Sequence, residues 1–406
     1  MGTLHGHGHD HGQEVSAKSG VTRIIWRVVV LCGVATVAAL ALLWPSDSTG
    51  YGDPLLLDAD PINAEVVAVD EVLCSTASSE SCRLVEFVLS DGANKGESGS
   101  IEESSQGNLA VGEKIKVVFF EDLSGNRIYS FYDYQRAVPM IVLTMLFIVA
   151  VLALGGWRGL GALAGLAVSL LVIVGFALPA ILEGSNPVTV AVVAASAIAF
   201  VALFLAHGFH ATTAVALIAT LTSLLLTAAL AWIFVAASRL TGYSDDASYL
   251  LSGLATDIDP RGILLAGIVI GSLGVLDDVT VTQVSAVWQL KAAQPGMRTV
   301  ELVRSAMRIG RDHISSTVNT LFLAYAGTAL PLLLLFVFAN QGFSNVITRE
   351  VVGTEVIRTL VGSIGLVASV PIATWLAAIV ISEVRSPSDS ALTPQADSYG
   401  ASGSEI

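Results

Sequence analysis

Residues 267–283 constrain what this chain can fold into more than any other stretch. An apolar, glycine-spaced run from Gly267 to Leu276 carries straight into Asp277 and Asp278, and the pattern does not break there. Val279, Val281, Val284, Ala286, Val287 and Trp288 continue it. A carboxylate at the centre of a membrane helix costs about 2.5–3.5 kcal/mol on insertion scales, so such residues usually serve a function. Gly267, Gly271 and Gly274 lie on one helical stripe that Asp278, Thr282 and Ser285 extend. Small residues at that spacing admit a neighbouring helix at close range. Asp278 is therefore expected to face protein, with Asp277 about a hundred degrees round, beside Thr280.

The composition agrees with a membrane class: 53% of residues are hydrophobic and 13% charged, with a mean hydropathy of +0.72. About eight windows read as spanning helices by length and apolarity. They lie at 24–44, 138–154, 160–182, 188–206, 213–237, 263–276 and onward, 317–338 and 356–381. The first, preceded by Arg23 and Arg27, exceeds the roughly 7–15 residues of a signal-peptide core and lacks a small-residue cleavage site, which favours a retained anchor. The expected fold is a polytopic α-helical membrane protein with a small extracytoplasmic β-barrel-like, OB-like domain after the first helix. The expected segments are a disordered histidine-rich tail (1–22), the first helix (23–44), a β-domain (51–137), a seven-helix membrane domain (138–383) and a disordered tail (384–406).

Period-two alternation with β-branched and aromatic residues marks strands at 65–69, 83–89, 114–120 and 127–131. The Gly-, Ser-, Asn- and Glu-rich stretch 90–106 reads as a turn or long hairpin connection. Between Tyr51 and Ala137 there are 16 acidic against 6 basic residues, a balance of -10 within a chain whose net charge is -14. So acidic a segment argues against nucleic acid or anionic lipid as its partner. Cys74 and Cys82 fall in it; an even pair outside the cytoplasm reads as a disulfide, the alternative being two free thiols.

The N-terminus carries His5, His7, His9 and His11, four of the seven histidines, alternating with glycine and one aspartate. Histidine-rich tracts bind transition metals, while glycine leaves such a tail disordered unless a metal holds it. The distribution of basic residues places both termini in the cytoplasm and the β-domain outside, as a multi-pass protein of the cell membrane. Residues 305–312 alternate apolar and cationic side chains. They are expected to lie along the inner membrane surface, as a lipid anchor or as a coupling helix.

With Ile263 near the outer surface, Asp277 sits about 21 Å along the helix in a core of about 30 Å. Two carboxylates with Thr280, Thr282 and Gln283 supply hard oxygen ligands for a proton, Na⁺ or a divalent ion. His313 and Asn319 on the next span are candidate partners. The competing reading makes the two acids an ordinary solvated helix C-terminus. Acids there would oppose the helix dipole, and the apolar pattern continues to Leu290.

Leu273-Gly274-Val275-Leu276-Asp277-Asp278-Val279-Thr280-Val281-Thr282-Gln283, with Gly310-Arg311-Asp312-His313-Ile314 and Asn319-Thr320-Leu321-Phe322-Leu323-Ala324-Tyr325-Ala326-Gly327, resembles the YibE/F-like family of bacterial integral membrane proteins. The resemblance covers residues 137–383 and, less specifically, the β-domain. It implies an architecture and the residues that matter, and supplies no substrate. The leading functional expectation is a secondary transporter or permease for a small solute or ion, with His207 and His210 and the tail admitting a transition metal as cargo. The alternative is a non-transporting envelope-assembly or scaffold protein acting through its β-domain. A phosphate-binding G-x-x-x-x-G-K-[ST] loop, H-E-x-x-H and G-x-S-x-G are all absent from the sequence, which argues against ATP-driven pumping and common hydrolases. The glycine stripe permits a homo-oligomer.

Overall fold

The computed structural model describes residues 19–45, 61–74, 81–121, 127–244, 246–254, 258–338 and 342–381. Helix α1 (Ser19–Leu42) precedes five strands, β1 (Ile62–Leu73), β2 (Ser81–Leu89), β3 (Ser98–Ser104), β4 (Lys114–Glu121) and β5 (Arg127–Tyr134). Then come α2 (Ala137–Val172), a π-helical turn (Ile173–Ala177), α3 (Leu178–Leu182), α4 (Pro187–His207) and α5 (Ala211–Ala237). The chain closes with α6 (Asp246–Leu254), α7 (Pro260–Ala293), α8 (Thr299–Thr328), α9 (Leu330–Phe338), α10 (Phe343–Ile347) and α11 (Glu350–Val380). It divides into two compact units, Thr49–Leu154 and the remainder.

The β-unit is an open antiparallel sheet of order β3-β2-β1-β4-β5, not the closed, OB-like barrel expected from its strand count. No backbone ladder joins β3 to β5 among the described residues. Register shifts at Val66/Ala68 and Lys116/Val117 curl the sheet instead. That curl brings Phe87 of β2 edge-on to Tyr129 of β5, with ring centroids 5.3 Å apart. Glu97 pairs with Arg127 at 3.1 Å from the opposite edge. Strand β3 lies inside the stretch expected to be a connection. Only Ile101 among its side chains is buried, and a polar edge strand shows almost no alternation. Gly99 is required there, because a Cβ would fall 2.5 Å from the Phe87 ring. Arg83 ties the chain after β3 back to β2, donating to the carbonyls of Gly107 and Leu109. Near the sheet's exit, the Tyr134 N–H and the Arg136 guanidinium hold the Asp133 carboxyl below the usual carboxylate range.

Cys74 and Cys82 are disulfide-bonded beside the β1–β2 connection. Cys32 in α1 is the free cysteine among the described residues.

In the helical unit, sequence sets where helices start. Pro187 and Pro260 occupy first-turn positions whose N–H needs no partner. Asn186 accepts from the Thr189 N–H and Asp259 from the Arg261 N–H, both at 3.1 Å. Among the described residues, six helical runs are long and apolar enough to cross a bilayer. Helices α8 and α9, bent by 59° just before Pro331, make a seventh when counted as one span. The expected eighth lies within the 46-residue run 137–182, where two helices meet at a kink: Gly156 leaves helical geometry at φ 51°, ψ -131°, in the gap expected between 138–154 and 160–182. Such helices mark a multi-pass membrane protein.

Helix α7 is the centre of this unit, with α4, α5, α8 and α11 packed around it. Residues 305–312 run without a break into the following span, as a coupling helix would. They are part of α8, whose Leu302, Val303, Ala306 and Gly310 are buried against the bundle. Helices α5 and α11 meet where Gly365 lacks a side chain, since a Cβ would fall 2.0 Å from the Thr227 hydroxyl oxygen.

Two outcomes follow. Denatured, unreduced protein labels at one thiol, and reduced protein at three, by mass spectrometry. Gly365→Ala forces α5 from α11 and destabilises the bundle by about 1–3 kcal/mol, seen as a lower melting temperature in detergent; adding Thr227→Ala recovers part of the loss.

Candidate functional site

The buried face of α7 is lined by Leu265, Val269, Ser272, Leu276, Thr280, Gln283 and Val287, at helical spacing. Two polar members of this face are held by other helices. The Thr280 hydroxyl lies 2.6 Å from that of Thr220 on α5, and also donates to the Asp277 carbonyl at 3.1 Å. Gln283, 2% exposed, donates to the Ala306 carbonyl on α8 at 3.0 Å and to the Thr374 hydroxyl on α11 at 2.7 Å. One amide therefore ties three helices together. Gly310 packs beside it, where a Cβ would fall 2.5 Å from the Val370 Cγ1 and 2.9 Å from the Gln283 carbonyl oxygen.

Opposite this face run Gly267, Gly271, Gly274, Asp278 and Thr282, all exposed. Within this chain no helix seats on the stripe among the described residues, so Asp278 faces away from the bundle. A Cβ at Gly267 or Gly274 would touch nothing, and one at Gly271 would be 3.7 Å from the Tyr325 hydroxyl. The physical reason is that large apolar residues on the other face of α7 fill the bundle. Close backbone approach is made elsewhere, as at Gly161 of α2, whose Cβ would fall 2.4 Å from the Leu205 carbonyl oxygen.

Asp277 sits on the seam between the two faces. It is half-buried, and its Oδ1 is enclosed without a hydrogen-bond partner. The adjacent Asp278 carboxylate is exposed. Thr282 donates to the Asp278 carbonyl at 2.7 Å, a bond internal to the helix. His313 on α8 is half-buried and Asn319 exposed. Neither side chain is hydrogen-bonded or ion-paired to the two carboxylates among the described residues. Of the seven candidate residues, Thr280 and Gln283 are thus joined to other helices, while Asp277 and Asp278 point in different directions.

His5, His7, His9 and His11 lie outside the described residues. The His210 Nδ1 is 3.0 Å from the His207 carbonyl oxygen, across the α4–α5 turn. No group of three or more His, Cys, Asp or Glu side chains that could hold a metal occurs among the described residues.

An ion pair inside α11 escaped the sequence reading. Glu355 and Arg358 pair at 2.7 Å, and Glu355 Oε2 and Arg358 Nε are both buried without a partner. Glu355 borders an apolar cavity of about 490 Å3 shared with Tyr325, Phe336 and Thr359. The signal was present as Glu355-Val356-Ile357-Arg358, an i,i+3 pair entering an apolar run, but Glu355 reads in sequence as the end of a loop.

Residues 143–383, more than half of the chain, match the family model described as YibE/F-like protein. The chain belongs to the YibE/F-like family. No curated protein and no solved structure matches it. As a YibE/F-like protein with several long apolar helices, it is an integral membrane protein. The family match spans α4, α5, α7, α8 and α11, and so contains every interhelical bond described above.

Gln283→Leu removes both bonds from α7 and leaves the Ala306 carbonyl and the Thr374 hydroxyl without that partner. The expected cost is about 1–3 kcal/mol, read as a lower melting temperature; Thr282→Val, on the open face, leaves the melting temperature unchanged.

Proposed function

We propose that this YibE/F-like protein is a secondary transporter or permease in which Asp277 and Asp278 bind a proton or cation during the transport cycle. The observation that carries the reading is the enclosed Oδ1 of Asp277, with no hydrogen-bond partner, halfway along a 34-residue helix. An acceptor so placed in an apolar surrounding calls for a proton or a cation. Asp278, one residue on and exposed, gives an arriving ion a first contact before it reaches Asp277. Both termini lie in the cytoplasm in this reading and the acidic β-unit lies outside, following the basic residues of the connecting segments. Thr282 belongs to the ion's entry face, while Thr280 and Gln283 hold the helices that frame it. His313 and Asn319, on α8, serve the later part of the path.

Purified full-length protein in proteoliposomes with an internal pH dye tests this. Under imposed Na⁺, K⁺ or Mg²⁺ gradients, the wild type moves protons or the cation. Asp277→Asn lowers the rate by about tenfold or more, and Asp278→Asn lowers it less. If both variants are folded and match the wild type, the carboxylates are not an ion site and the scaffold reading through the β-unit takes precedence.

A further inference from the structure

We infer that the helical unit carries a binding site for a small oxyanion, of the charge and geometry of phosphate, in the cavity between α2, α4, α5 and α7. This cavity has a volume of about 490 Å3. Its wall brings together Arg158 of α2, His207 of α4, Thr212 and Thr213 of α5, and Ser285 of α7. None of these elements adds an acidic side chain to the lining.

Four observations point to an anion. The first is that α5, 27 residues long, begins at this wall. Its N-cap residue, His210, makes no side-chain capping bond, so the first N–H groups of the helix are not met by a cap. The positive end of a helix dipole and uncapped N–H groups together favour an anion. The second is Thr213, which is 4% exposed and lines the cavity. Its hydroxyl forms no hydrogen bond among the described residues and is not among the enclosed oxygens, so this donor of a buried residue is open to the cavity.

The third is Arg158. Its guanidinium forms no ion pair among the described residues, and it reaches the same cavity from a different helix. A planar five-donor group is well matched to a tetrahedral oxyanion, which it binds through two parallel N–H bonds. The fourth is the backbone that holds these groups together. Gly161 and Gly165 bring α2 onto α4, where Cβ atoms would fall 2.4 Å from the Leu205 carbonyl oxygen and 3.3 Å from the Ala202 Cα. Gly208, at φ 74°, turns the chain from α4 into α5.

Val281 and Val284 of α7 also line the cavity. Asp277 precedes Val281 by one helical turn, about 6 Å along the axis. The oxyanion site nevertheless stands without the coupling role of Asp277, because its test reads binding and not flux.

The test uses full-length protein in a neutral, phosphate-free detergent, titrated with inorganic phosphate against chloride at matched ionic strength, with binding read calorimetrically. Wild type binds phosphate saturably. Arg158→Gln weakens binding by about tenfold or more, and Thr213→Val by several-fold, as expected on losing a bond to a charged group. Arg304→Gln, a cation on α8 outside the cavity, leaves affinity unchanged. Nanodiscs with and without phosphatidic acid separate the two sources of this chemistry. Binding only of that lipid, lost in Arg158→Gln, assigns the site to a lipid phosphate; binding of the free ion assigns it to a solute. Absence of saturable binding of either, or equal affinity in monodisperse Arg158→Gln protein, overturns the assignment.

Discussion

A polar side chain inside an apolar slab has no water to turn to, and the helical unit is organised by that constraint. Gln283 reaches α8 and α11 at once, and Thr280 reaches α5. Each such interhelical bond contributes about 0.6–1.7 kcal/mol in membrane proteins. Their larger effect is on specificity, because any rotation of α7 about its axis would leave several donors and acceptors unmet at the same time. The glycines on facing helices are the sequence counterpart of these bonds. Gly310 makes room at the Gln283 amide and Gly365 at Thr227, so packing and hydrogen bonding set the same register.

Fixing the rotation of α7 decides what the paired acids can do. With Gln283 and Thr280 turned inward, Asp277 falls on the seam and Asp278 on the open face. Two neighbouring residues of identical chemistry thereby acquire different surroundings, one with an enclosed oxygen and one in contact with the exterior of the chain. The open stripe of Gly267, Gly271 and Gly274 continues towards the start of α7 on the same face. Glu355 and Arg358 on α11 add a second charged pair at the edge of an apolar cavity, with Tyr325 of α8 beside it.

Long apolar windows and the glycine-to-aspartate run were legible in the sequence, as was the disulfide between Cys74 and Cys82. Three features were not. Strand β3 has one buried side chain, so alternation could not reveal it, and its partner Phe87 becomes apparent only once the sheet curls. Closure of a sheet depends on the positions of bulges, which strand patterns do not encode; the order β3-β2-β1-β4-β5 leaves both edges open. The rotation of α7 was the third, because small residues mark a face open to close approach without saying whether the neighbour belongs to the same chain or to another. The partners that settle it, Thr220, Ala306 and Thr374, are 23 to 91 residues away from the α7 side chains they bond.

The central claim is the rotation of α7, since the roles of Asp277, Asp278 and Gln283 all depend on it. Single cysteines introduced at 274, 278, 280, 282 and 283 in a Cys32→Ala background test it most directly, with modification by a membrane-permeant maleimide followed over time in native membranes. Fast labelling at 274, 278 and 282 with protection at 280 and 283 is the predicted pattern. Labelling at 280 and 283 as fast as at 278 would contradict the account.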